Sequence, residues 1–296
     1  MKKIVIFGST GNIGAYFTDY CYNMIDKKQY EVIAVGRKHT DYYRKAGIEY
    51  INVDLCNSSD FERLPTDDLY AVVNLAGLLP AYMKEYDPFK YVETNINGAL
   101  RILEYARKNN ADRALYTQTW AEQAGYWGKE EVLRPEYPRK LLFTGDHAFY
   151  AITKSTIVDT MEYYKQEYGL KNFVFRLPNV YLYHPEKYYY VDCVKKPIGY
   201  RYMIDKASAG DTVEMWGNPD AFKDILYIKD LCQMMYKALF AQVDGGTYNA
   251  GTGIKTTLRE QIEGIVDVFS PKEHMSNIVE KPENSSFTSF VMDIEN

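Results

Sequence analysis

The amino-acid sequence predicts an α/β fold in which a doubly wound parallel sheet is joined to a smaller C-terminal domain. Three observations predict it. Short β-rich runs alternate with helical patterns over the first two-thirds of the chain, the order that builds a parallel sheet covered on both faces. Several runs are almost unbroken in Val and Ile, as strands buried on two sides must be. A glycine-rich turn separates the first run from the first helical pattern.

In chain order, Lys3–Phe7 reads as the first strand and Ile13–Ile25 as the helix after it. Glu31–Val35, Tyr50–Val53 and Ala71–Leu75 follow as strands, then Phe89–Lys108 as a long helix. The strand Arg113–Thr117, the helix Ala148–Tyr168 and the strand Asn172–Arg176 complete the alternation. After Asn179 the rhythm breaks. The stretch to Pro219 is rich in Tyr, Lys, Pro and Gly, and only Ile225–Ile228 and Thr247–Asn249 read as further short strands. These shifts divide the chain into residues 1–180 with 223–251, and residues 181–222 with 252–296. Phe290–Ile294 reads as a strand or turn leading onward, as in a chain that is part of a longer one.

Composition narrows the function. A chain of 296 residues can bury a large core. The net charge of −5, with signs mixed along the chain, leaves no basic footprint for nucleic acid. Cys21, Cys56, Cys193 and Cys232 are far apart and form no Cys-x-x-Cys pair, which fits reduced thiols in the cytoplasm. The first strand begins at Lys3, with no room for a signal peptide, and no apolar run approaches ~18 residues. Neither a membrane nor nucleic acid is expected as a partner. The histidines lack metal-ligand spacing, so no catalytic metal is expected.

Gly8-Ser9-Thr10-Gly11-Asn12-Ile13-Gly14 follows the first strand directly and opens a helix. Glycines there permit a tight turn and let backbone N–H groups approach a pyrophosphate, whose charge the helix N-terminus favours. The second strand ends in Val35-Gly36-Arg37-Lys38. An NAD enzyme usually carries Asp or Glu there for the ribose 2′-hydroxyl, whereas a basic pair suits a 2′-phosphate. The expected cofactor is therefore NADP, with NAD as the alternative if Arg37 and Lys38 are only solvated loop charges. Asp54-Leu55 is placed to hold an adenine. Asn74-Leu75-Ala76-Gly77 puts small residues where backbone must pass close to a cofactor.

A tyrosine four residues before a lysine shares a helix face with it, so phenol and ammonium can act as a proton-exchanging pair. The spacing occurs at Tyr86/Lys90, Tyr150/Lys154, Tyr183/Lys187 and Tyr202/Lys206. Pro88 and Pro185 interrupt the first and third. Tyr202/Lys206 follows no sheet strand on the cofactor side and reads as surface. Tyr150/Lys154 alone sits downstream of a glycine loop and on a helix between two sheet strands.

With these motifs the chain resembles the extended short-chain dehydrogenase/reductases, the NAD-dependent epimerase/dehydratase family acting mostly on nucleotide sugars. The resemblance runs over nearly the whole chain. It rests on Gly8–Gly14, Asp54-Leu55, Asn74–Gly77, Asn95 in Thr94-Asn95-Ile96-Asn97-Gly98, the Thr119 region, Tyr150–Lys154 and Arg176-Leu177-Pro178-Asn179-Val180-Tyr181. Lys223–Asp230 and Tyr248-Asn249-Ala250-Gly251 extend it. It implies a Rossmann-like cofactor domain, a substrate-binding domain and a homodimer formed through the Phe89–Lys108 and Ala148–Tyr168 helices. It further implies Tyr150 as acid/base at a sugar hydroxyl or carbonyl, Lys154 lowering its pKa and bonding the nicotinamide ribose, and Thr119 as the hydroxyl partner. By the same resemblance Thr117 lies nearer the cofactor with Asn95, Leu177 and Pro178 line the nicotinamide, and Asn179 and Lys223 meet the substrate diphosphate.

Departures qualify the reaction. Family 4,6-dehydratases carry Thr-Asp-Glu at the catalytic hydroxyl, where this chain has Thr119-Trp120-Ala121. Leu182 replaces a Gly, and Lys223 replaces an Arg, keeping charge but losing the bidentate fork. The expected function is an NAD(P)-dependent nucleotide-sugar epimerase or reductase. The alternatives are a dehydratase or a non-catalytic NADP-sensing protein. His147 reads as a loop or packing residue, while His184 could serve as a second acid/base. Tyr188-Tyr189-Tyr190 and Tyr200-Arg201-Tyr202 either stack a base and bind phosphate, or pack.

Overall fold

The computed structural model describes residues 1–129, 132–183, 186–284 and 289–295, apart from the side chain of residue 146. His184 and Pro185 lie outside the described residues. Seven parallel strands form the central sheet: β1 (Lys2–Phe7), β2 (Tyr30–Gly36), β3 (Glu49–Asn52), β4 (Leu69–Asn74), β5 (Arg113–Thr119), β6 (Lys171–Leu177) and β7 (Gly245–Asn249). Their order is β7-β6-β5-β4-β1-β2-β3. The chain starts in the middle, winds out to β3, then returns to the other side of β1. The reversal between β1 and β4 opens a crevice at the carboxyl ends of the strands, where such sheets bind ligands.

Alternation along β1 divides the core. Ile4 and Ile6 face the helices α1 (Asn12–Met24) and α5 (Ile228–Phe240), among Phe17, Cys21, Leu231 and Met235. Val5 and Phe7 face α2 (Ala99–Lys108) and α3 (Asp146–Tyr168), among Ile102, Leu103, Ile157 and Met161. Both faces of the sheet are thus dry, which explains the unbroken apolar runs. All four cysteines are free, and burial pushes the Cys21 and Cys232 thiols up to about 12. No helix among the described residues is long and apolar enough to cross a membrane.

The segment expected as one helix from Phe89 to Lys108 is divided. A turn of α-helix at Pro88–Tyr91 leads into a π-helical stretch, Val92–Gly98, before α2. Wide turns of this kind are frequent at functional sites, and this one carries Asn95. β5 runs two residues beyond the expected Thr117, because pairing with β6 continues to Thr119 opposite Leu177.

A second, smaller core packs α4 (Gly199–Ser208) and α6 (Leu258–Phe269) around Ala207, Val213, Met215, Ile262 and Val266. Thr257 and Glu260 cap α6 reciprocally. Ahead of α4 a hairpin pairs Tyr188–Val191 with Val194–Pro197 through Asp192 and Cys193, both at positive φ. Asn179–Tyr181 pairs with Ile225–Tyr227, and Val291–Met292 returns to pair with Val132–Leu133. Asp224, fully buried, accepts from the Thr252, Gly253 and Met292 backbone N–H groups at 2.9, 3.1 and 3.1 Å.

A buried polar chain fastens these parts together. Arg176 on β6 donates to Glu122 Oε1 (2.5 Å) and to Asn249 Oδ1 on β7 (2.7 Å). Asn249 in turn donates to the carbonyls of Leu133 and Asp293. Removing one member strands a buried charge. Arg176→Met should therefore cost about 3–5 kcal/mol in chemical denaturation. Glu122→Leu/Arg176→Met should recover part of it, and a single-variant loss below ~1 kcal/mol would contradict this role.

Candidate functional site

The glycine loop is built by backbone-to-backbone contact. Gly8 has φ +83°, and a Cβ there would stand 2.5 Å from the Ala76 nitrogen. A Cβ on Gly14 would stand 2.0 Å from the Gly8 carbonyl oxygen. The loop, the start of α1 and the Leu75-Ala76-Gly77 segment can therefore meet only without side chains at Gly8 and Gly14. Ser9 locks the turn from beneath: its hydroxyl donates to the Ile6 carbonyl (2.7 Å), accepts from Thr18 (3.0 Å), and Tyr43 donates to its carbonyl. Gly11 caps α1 with no side-chain bond, and the first turn holds no acidic residue. No side chain caps the N–H groups of the turn at Asn12, Ile13 and Gly14. Thr10 stands beside Gly36, and Asn12 donates to the Tyr82 hydroxyl at 2.7 Å.

At the end of β2 a Cβ on Gly36 would meet Thr10 Oγ1 at 2.8 Å and the Tyr50 hydroxyl at 3.1 Å. A side chain there would require the Thr10 side chain to shift. Tyr50 donates to the carbonyls of Gly36 (2.8 Å) and Lys38 (2.5 Å), and Asn52 donates to that of Arg37 (2.8 Å). The backbone is thereby fixed, with the Arg37 and Lys38 side chains exposed.

Asp54 accepts from the Cys56 N–H, and the Leu55 side chain is packed inward against Gly98. Asn95 is buried and bonds both the N–H (2.7 Å) and carbonyl (3.0 Å) of Leu78, and Thr153 Oγ1 (3.2 Å). It thus clamps the loop after β4 to the helix carrying Tyr150. Asn74 Oδ1 accepts from the Ala76 N–H.

Tyr150 and Lys154 are both buried on α3. Tyr150 packs against Tyr91, with ring centroids 6.3 Å apart, and against His147 at 6.2 Å. The Lys154 ammonium lies 3.8 Å from the centre of the Tyr116 ring, a cation–π contact from β5. Burial pushes the Tyr150 phenol up, with Tyr91 adding to the rise, and burial holds the Lys154 ammonium down to about 7. The expectation that lysine lowers the tyrosine pKa is thus outweighed by desolvation in the ligand-free site. The other spacings are surface features: Lys90 pairs with Asp87, Lys187 with Asp205 and Lys206 with Asp211.

Thr119 ends β5, and its hydroxyl accepts from the Ala121 N–H at 3.2 Å, capping the turn beyond it. Thr117 lies two residues back on the same strand face. Gln118, between them, points the other way. Its Oε1 accepts from the Thr119 N–H (2.8 Å), and its Nε2 donates to Ser155 Oγ (3.2 Å) and Glu122 Oε2 (2.9 Å). Ser155 neighbours Lys154, so Gln118 joins the Thr119 strand end to the Tyr150 helix. Leu177 and Pro178 end β6 beside Thr119, and Asn179 stands opposite Ile225 in the next strand pair. Lys223 bridges to Phe290, and burial holds its ammonium down to about 8.

Tyr116, Gln118, Ser9 and Tyr50 were not singled out from the sequence. Strand alternation places Tyr116 and Gln118 on the face toward α3, the one signal that could have found them. Among the described residues no three His, Cys, Asp or Glu side chains gather as a metal site.

A glycine turn opening a helix at the switch point of a parallel sheet, with a buried Tyr–Lys pair on a later helix, is the architecture of the nucleotide-binding α/β proteins. The profile of the NAD dependent epimerase/dehydratase family matches residues 4–251, and the chain belongs to that family. It is 22% identical over 94% of its length, and 86% of the relative's, to low-salt glycan biosynthesis protein Agl12 of Haloferax volcanii. With dTDP-glucose 4,6-dehydratase 1 of Escherichia coli K12 it shares 26% identity over 84% of this chain and 72% of the other. The Thermus thermophilus UDP-glucose 4-epimerase, solved in complex with NAD, superposes with a TM-score of 0.74 at 20% identity, covering 99% of this chain and 90% of the other.

Between about pH 7 and the ordinary lysine range, the unfolded chain binds a proton at Lys154 that the folded chain does not. Stability from this group therefore rises with pH through that window, and the penalty is fullest below it. Lys154→Met should stabilise the ligand-free protein by on the order of a few kcal/mol at about pH 6, the gain shrinking toward pH 10. Urea melts that show an equal gain at both pH values would exclude an ionic origin.

Proposed function

We propose that this chain is an NADP-dependent nucleotide-sugar epimerase or reductase. The buried Tyr150/Lys154 pair on α3, taken with the glycine turn after β1 and Thr119 at the end of β5, carries the reading. The turn at Gly8, Gly11 and Gly14 suits a dinucleotide, because its bare backbone leads straight into the N-terminus of α1, where a phosphate is favoured. When bound, the dinucleotide supplies a hydride acceptor and donor at its nicotinamide. Tyr150 takes or returns the proton of the sugar hydroxyl, with Thr119 orienting that oxygen. Lys154, held by Tyr116, carries the charge that stabilises the phenolate as it forms.

Asp54, Leu75, Ala76, Gly77, Asn95 and Thr117 belong to the cofactor side of the crevice in this reading, with Leu177 and Pro178 against the nicotinamide. Asn179 and Lys223 meet the diphosphate of the sugar nucleotide, held by residues 181–222 and 252–296 over a cofactor domain of 1–180 and 223–251. Elimination is disfavoured by the residues just beyond Thr119. Trp120 stacks on Trp127 and Phe290, with centroids 3.8 and 4.8 Å apart, and Glu122 is tied to Arg176. Neither is free to act as the acid or base of a dehydratase. A purely sensing role is disfavoured by the intact Tyr150, Lys154 and Thr119.

Gly36, where an acidic residue would meet a ribose 2′-hydroxyl, and the exposed Arg37 and Lys38 favour NADP over the NAD of the Thermus structure. Exposed Leu100, Tyr163 and Tyr168 on α2 and α3 support a homodimer through those helices, to be measured by light scattering. The cytoplasm is the proposed location.

Turnover of a nucleotide-sugar panel with NADP and NADPH, followed by cofactor absorbance and product NMR, tests the activity. Tyr150→Phe should lower the rate roughly 10²–10⁴-fold with cofactor affinity nearly kept; unchanged turnover refutes the role. The wild type should prefer NADP(H), and Arg37→Ala should narrow that preference. A preference for NAD that survives Arg37→Ala would sink the cofactor assignment.

A further inference from the structure

Arg201, in the first turn of α4, is the group that the proposed chemistry leaves unexplained. Its Nε is buried without a hydrogen-bond partner, and no ion pair with it is found among the described residues. Its guanidinium lies over the Tyr183 ring, 4.8 Å from the centroid. Stacking uses the face of a guanidinium and leaves its in-plane N–H donors unspent. A desolvated donor without an acceptor is costly and calls for a partner the protein alone does not supply.

The surroundings show where that partner lies. The Tyr183 carbonyl accepts from the Tyr16 hydroxyl at 3.1 Å, one turn along α1 from Asn12. Tyr200 stacks on Tyr181, with centroids 4.6 Å apart, and donates to the Leu182 carbonyl at 2.9 Å. The Tyr200 phenol also feels Arg201 and Tyr16, and Tyr82, bonded to Asn12, feels Tyr200. Tyr181 continues the strand that begins at Asn179. Arg201 therefore stands on a segment whose neighbouring tyrosines reach the first turns of α1 beyond the glycine loop.

We infer that Arg201, backed by Tyr183 and steadied by Tyr200, is a phosphoryl-binding subsite of the crevice. A planar fork of N–H donors matches two phosphate oxygens, which the single ammonium of Lys223 cannot. The inference rests on the proposed nucleotide-binding function. The phosphoryl group comes either from the sugar nucleotide's diphosphate or from the dinucleotide.

Calorimetric titration of the full chain with UDP, dTDP, GDP, CDP, ADP, NADP and NAD, in wild type, Arg201→Lys and Arg201→Met, tests it. Arg201→Met should weaken a phosphate-bearing ligand about 10- to 100-fold. Arg201→Lys, which keeps charge and loses the fork, should weaken the same ligand less. Loss confined to a nucleoside diphosphate identifies the substrate as the source, loss of both dinucleotides the cofactor pyrophosphate, and loss of NADP alone the 2′-phosphate. Wild-type affinities retained by Arg201→Met for every ligand overturn the subsite while leaving the proposed function standing. Should Arg201→Met not fold, undiminished binding by Arg201→Lys overturns it. Failure of the wild type to bind either dinucleotide overturns the proposed function itself.

Discussion

A carboxylate buried just past the end of β5 holds the working parts of this protein in register. Glu122 meets the Arg176 guanidinium at 2.5 Å, accepts from Gln118, and has Arg139 at 3.5 Å. Through these partners it touches β5, β6 and, by way of Asn249, β7 and the returning Val291–Met292 strand. A charge in such a place is tolerable only when its oxygens are all answered. Its geometry must then be kept by everything that answers it. Thr119 and Leu177 directly follow Gln118 and Arg176 in the chain, and Gln118 also bonds Ser155 on α3, so the same network sets these strand ends.

The helix that carries Tyr150 and Lys154 sits in a contrasting environment. Tyr150 is enclosed by aromatic rings and Lys154 by the face of Tyr116, so burial favours the neutral form of each group. Desolvation is the larger influence there, and the i, i+4 placement of the pair does not by itself reverse it. Asn95 ties the loop after β4 to Thr153 on the same helix. The π-helical stretch around Asn95 is what turns that amide inward.

Two close approaches shape the cofactor end. The backbone contact of Gly8 with Ala76 brings β1 and β4 together at the point where the sheet reverses. Gly36 packs closely against Thr10 and Tyr50, and the Arg37 and Lys38 side chains that follow it at the end of β2 are exposed.

The sheet, its helices and the placing of Tyr150 and Lys154 on one helix were legible in the sequence because they rest on short-range signals. Strands buried on both faces leave unbroken Val and Ile runs, a phosphate cradle demands glycines at set intervals, and a helix face repeats every three to four residues. Even the exclusion of three other Tyr/Lys spacings needed only nearby prolines and neighbours. The division of the 89–108 helix, the two extra residues of β5 and the inward turn of Leu55 were not legible, since each depends on what a distant segment presents. Tertiary structure alone brought Arg176 to Glu122, Tyr116 beneath Lys154, and Tyr16 and Tyr183 beside Arg201. Those partners lie tens of residues or more apart, and burial, which decides their charge and bonding, exists only once the chain has closed around them.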